Sequence, residues 1–78
     1  MEKIIDYVKR SMDELKLNGG EPSKLQMNMA TFYMMLEELD NFNDVVAIEN
    51  LGRITYFVCG LAFEERNDIA KGTVFIVS

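Results

Sequence analysis

Residues 24–40 read KLQMNMATFYMMLEELD, and the spacing of the apolar residues changes halfway through. Across 24–29 polar and apolar residues alternate, placing Leu25, Met27 and Met29 on one side, as in a half-buried strand. From about Ala30 to Asp40 the repeat lengthens to that of a helix. At about 100° per residue, Phe32, Met35, Leu36, Leu39 and Phe42 fall within one third of its circumference. Asn28 or Thr31 supplies the cap that such a helix needs. The methionines divide accordingly: Met27, Met29 and Met35 belong to the core. Tyr33 and Met34 point to the sides shared with Glu37 and Glu38. A strand passing directly into a helix makes the fold class α+β.

The chain on either side fits that reading. Upstream, KIIDYVKRSMDELKL (3–17) carries Ile5, Val8, Met12 and Leu15 at steps of three and four, one stripe of a helix with Ile4 beside it. Asp6 has Lys9 and Arg10 within reach on the outer face. NGG then offers a left-handed helix end, and Pro22 prevents a restart.

Downstream, VVAIENL reads equally as a strand or a short helix, and NLG reads as a turn. RITYFVCGLAF is rich in β-branched and aromatic residues, with Gly60 marking a bulge or a break into two strands. EERNDIAKG is a polar connection, and TVFIVS is a closing strand whose apolar residues on both faces predict a central position. The expectation is therefore helix–strand–helix followed by two to four strands. These form a small, mostly antiparallel sheet with two helices packed on it, in a single domain over 1–78.

The chain has 78 residues, a net charge of −5 and 49% hydrophobic residues, enough for one packed core and no second. Total stability for this size is about 4–12 kcal/mol. Eight basic residues against 13 acidic ones argue against a nucleic-acid backbone as ligand. The longest apolar run, ITYFVCGLAF, is about half what a membrane helix needs, and MEKIIDYVKR lacks the pattern of a secretory signal. A cytosolic location is expected.

Histidine is absent, which removes most general-base, triad and imidazole–metal arrangements. The single cysteine, Cys59, forms no intrachain disulfide and reads as a buried thiol in an apolar strand. DNFND (40–44) lacks the glycine and glutamate of a calcium loop, and KGT (71–73) is no phosphate loop. The acid pairs Asp13/Glu14, Glu37/Glu38 and Glu64/Glu65 are sequence neighbours, which diverge on a helix and alternate on a strand, so they form no facing catalytic dyad. No catalytic, cofactor or metal site is expected, and the chain is read as a non-enzyme.

The order GGEPSKLQMN, an aromatic helix, CGLAF and GTVFIV resembles the central-domain segment of tailed-phage major capsid proteins. Gly20, Pro22, Met27, Asn28, Gly60, Gly72 and Thr73 echo it over about residues 19–78. Nothing here is long enough for the extended arm and spine helix of a shell subunit. The resemblance implies instead a small phage-encoded accessory protein, placed in the host cytosol.

Two function classes follow. The first is a non-enzymatic binder of the inhibitor or accessory type, engaging a host or phage protein through Tyr33, Met34, Glu37 and Glu38, an aromatic and a methionine flanked by charge. The bland alternative packs Tyr33 and Met34 onto the first helix or a strand. The second class is a self-assembling, homo-oligomeric virion or assembly component, in which TVFIVS pairs with another chain if it lies at an edge. A small-molecule carrier needs a pocket that so short a chain rarely forms alone.

Overall fold

The structure, a computed structural model, describes residues 2–78. The apolar stripe of the first segment becomes α1 (Ile4–Leu17), which buries Ile5, Val8 and Met12. NGG ends it as expected. Gly19 adopts φ +84° and donates to the Lys16 carbonyl at 3.1 Å, while the Gly20 N–H reaches the Leu15 carbonyl at 2.8 Å. This pair of bonds is the Schellman closure, which needs a left-handed residue at its centre. The expected pairing of Asp6 with Lys9 or Arg10 does not form. Lys9 pairs with Asp44 at 2.8 Å and Arg10 with Glu2 at 2.8 Å, because longer-range acids lie better placed.

The change of period at Asn28 is the boundary between β1 (Lys24–Met27) and α2 (Met29–Glu37). Asn28 is the cap: its Oδ1 accepts from the Thr31 N–H at 2.8 Å. The helix stops at Glu37, short of the expected Asp40, because Asn41 captures the Asn43 N–H at 3.0 Å and starts a 3-10 turn over Phe42–Asp44. Phe42, expected in the core by extending the helical repeat, is therefore 78% exposed.

Four more strands follow: β2 (Val45–Asn50), β3 (Arg53–Val58), β4 (Leu61–Glu65) and β5 (Phe75–Val77). Residues 45–50, open between strand and helix in the sequence, are thus a strand. β2 and β3 form a hairpin turning at Leu51 and Gly52, with φ +53° and +78°. Positive φ at both turn residues suits the right-handed twist of the strands. A second such turn, Cys59 (φ +51°) and Gly60 (φ +85°), breaks RITYFVCGLAF into β3 and β4. Cys59 is therefore a half-buried turn residue rather than a buried strand residue, and burial pushes its thiol pKa up.

Leu51 is 96% exposed, so its side chain offers little to offset a left-handed backbone. Leu51→Asn is expected to raise stability by about 0.5–1 kcal/mol, read as a higher urea midpoint at unchanged slope.

The sheet order is β2-β3-β4-β1-β5. β1 runs parallel to β4, and the other pairings are antiparallel. The fold is α+β, with both helices on one face of the sheet. TVFIVS supplies β5, which lies at the sheet's edge and not at its centre. It is apolar on both faces because Ile76 packs on the core while Phe75 and Val77 share the outer face with Gln26 and Lys24. The core joins α1, through Ile5, Val8 and Met12, to Leu25, Met27, Phe32, Met35, Val58 and Leu61. Phe32 is its hub, stacked on Phe63 at 4.3 Å between ring centroids and tilted against Tyr56 at 5.2 Å.

No helix among the described residues is long and apolar enough to cross a membrane.

Candidate functional site

The surface expected from sequence is only partly assembled. Tyr33 is 57% exposed and Met34 is also exposed, as the helical repeat requires. Glu37 stands in solvent beside them. Glu38 does not join them, because its Oε1 accepts from the Ile4 N–H at 3.1 Å. That bond satisfies a donor at the start of α1, whose cap residue Lys3 offers no side-chain bond. Lys3 itself pairs with Asp40, so the end of α2 and the start of α1 are tied together.

A concavity lies elsewhere, between one flank of α1 and the stretch that leads into β5. Ile4 and Tyr7 form one wall, residues 72–75 the other, and the space is about 470 Å³. A second hollow of about 270 Å³ continues along the same line, between Tyr7, Ser11 and Leu15 on α1 and Val74, Phe75 and Ile76. Tyr7, Val74 and Phe75 border both, so the two hollows form one groove that follows the last strand.

Each wall is held by local chemistry. The Arg10 guanidinium sits 5.3 Å above the Tyr7 ring and donates twice to Glu2, at 2.8 and 3.0 Å, fixing the ring's outlook. Hydrogen bonding to Arg10 holds the Glu2 carboxyl below its ordinary pKa, so the clamp stays charged near neutrality. The opposite wall hangs from the cap of α2. Asn28 Nδ2 donates to the Ile69 carbonyl at 2.9 Å. The buried Thr31 hydroxyl donates to Asn28 Oδ1 and accepts from the Gly72 N–H, each at 2.9 Å. Ile69, in what reads as a polar connection, is buried and anchors the loop between β4 and β5.

Sequence reasoning missed this groove because its walls come from the first and last elements of the chain. The available signal was Tyr7, an aromatic residue off the apolar stripe of its helix and three positions before Arg10. A smaller cleft of about 250 Å³ lies between Met29 at the start of α2 and the hairpin residues Ile54 and Tyr56.

Chemically, the groove offers largely apolar walls and, from Phe75 onward, the outer edge of β5; the Gly72 and Thr73 N–H groups that precede it are already bonded, to Thr31 Oγ1 and to the Ala70 carbonyl. In general, strand edges beside apolar hollows can take up extended peptides by main-chain hydrogen bonds, with alternate side chains entering the hollows. Among the described residues, no group of three or more His, Cys, Asp or Glu is arranged to hold a metal ion. Comparison of the chain with protein-family models, with curated proteins and with solved structures finds no match.

Proposed function

We propose that this chain is a small non-enzymatic protein-binding module that takes an extended segment of its partner into the groove between α1 and β5, adding a strand to the sheet. One observation carries this reading: two connected hollows run beside a strand that, among the described residues, has no neighbour on its outer edge. The matching segment alternates apolar side chains and, against a chain of net charge −5, is flanked by Lys or Arg. On the sequence resemblance the partner is a host or phage protein, and occupancy of the groove is the inhibitory or accessory act.

The reading is tested with a synthetic probe, Lys-Val-Thr-Ile-Thr-Val-Lys, titrated into labelled protein and followed by amide NMR. Shifts confined to residues 72–77 and to α1 are expected, and Tyr7→Lys, at a partly exposed position, is expected to abolish them. Shifts centred on Tyr33 and Met34 would return the site to α2. No shifts at millimolar probe would remove the groove reading.

A second reading, self-assembly into a homo-oligomer, is favoured by a separate observation. β4 pairs with β3 only at Phe57 and Val58, so most of the β2–β3 hairpin stands beyond the third strand. An isolated two-stranded ribbon is marginal in water unless something covers it.

A further inference from the structure

The second free edge of the sheet is built differently from the first. β5 is three residues long and has a helix beside it, whereas β2 has six residues. β2 is weakly protected for an exposed edge: it has no proline and no lysine, a single charge at Glu49 near its tip, and Val45, Val46, Ala47 and Ile48 in succession. Val46 and Ile48 are about half exposed, on the sheet face away from the helices.

The direction of the β2 backbone follows from the hairpin. The Cys59 N–H donates to the Asp44 carbonyl at 2.7 Å, and the two-residue turn at Leu51 and Gly52 closes on Asn50 and Arg53. Hydrogen-bonded pairs alternate along an antiparallel ladder, so the even-numbered residues of β2 bond to β3. Ala47 and Glu49 therefore turn both their N–H and C=O groups outward, and Val45 turns its C=O outward while its N–H is held by the Phe42 carbonyl.

We propose that this edge is the two-fold contact of a homodimer, in which β2 pairs antiparallel with β2 of a second copy, centred on Ala47. This deepens the self-assembly reading and is independent of what the α1–β5 groove binds. An antiparallel two-fold contact keeps each copy's outer face on the same side, so the strand must complement itself about one residue. About Ala47 it does. Val46 faces the second copy's Ile48, twice by symmetry, Val45 faces Glu49, and no like charges are opposed. Shifting the centre to Val46 sets Ile48 against Asp44, and shifting it to Ile48 sets Val46 against Asn50.

Within the strand itself, this one contact covers the bare edge and sets the outer-face Val46 and Ile48 of one copy beside Ile48 and Val46 of the other.

Sedimentation and light scattering over a wide concentration range test the proposal on the full chain. A dimer is expected. Ala47→Pro removes an outward N–H without touching the hairpin's own bonds, and Val46→Lys changes an exposed position. Each is expected to weaken association by about tenfold or more while the groove still binds its probe. Phe75→Lys, on the other edge, should leave the dimer intact. A monomer at every concentration would overturn both the contact and the self-assembly reading. A dimer broken by Phe75→Lys but indifferent to Val46→Lys and Ala47→Pro would overturn the β2 contact alone.

Discussion

Phe32→Ala is expected to lower stability by about 3–5 kcal/mol, the usual cost of deleting a buried aromatic side chain. Phe32 is 1% exposed, and its ring joins α2 to β4 through Phe63 and to β3 through Tyr56. Against a total of about 4–12 kcal/mol, the variant is close to unfolding at room temperature. Urea denaturation followed by circular dichroism reads the effect as a large drop in midpoint. Tyr33→Ala, one position along and more than half exposed, is expected within about 0.5 kcal/mol of the parent. Equal effects at the two positions would mean that α2 is rotated from the orientation described here.

Asn28→Ala is expected to cost about 2–4 kcal/mol, more than a helix cap alone. The cap bond to the Thr31 N–H accounts for about 1 kcal/mol. The remainder comes from the Ile69 carbonyl and the Thr31 hydroxyl, which lose their Asn28 partners in part-buried positions. Asn28→Asp separates the two contributions: it keeps the capping oxygen but sets a carboxylate oxygen against the Ile69 carbonyl. Its loss is expected to be smaller than that of alanine but still above that of a neutral surface change. Proteolysis within residues 66–73 should rise in both variants, because the loop has lost its tether. If alanine cost no more than a simple cap, the loop would be held by the burial of Ile69 instead.

The parts of the fold that were legible in sequence are those governed by local rules. The stripe of Ile5, Val8 and Met12, the closure at Gly19 and the switch of period at Asn28 all depend on residues within a few positions of one another. The position of β5 does not. Phe75, Ile76 and Val77 look like a central strand because both faces are apolar. What makes them an edge is the parallel pairing of β1 with β4, which leaves only the far side of β1 open to them. Phe42 misled for the converse reason, since a repeat extrapolated past Glu37 assigns a face to a residue no longer in a helix. The helical repeat places Tyr33 and Met34 off the core face but leaves open whether they pack on another element, and in the structure both are exposed. The groove itself could not be read, because Tyr7 and Val74 meet only once the sheet has closed.

On the proposed function, the outer edge of β5 is open in the free chain and becomes paired when a partner segment enters the groove. Amide hydrogen exchange of residues 74–77, measured with and without the Lys-Val-Thr-Ile-Thr-Val-Lys probe, tests it most directly. Fast exchange is expected in the free protein for the amides that do not bond to β1, and marked slowing on binding, while β2 amides are unaffected by the probe. Binding of the probe with no slowing at β5 would contradict strand addition and leave the groove an apolar surface without a backbone role.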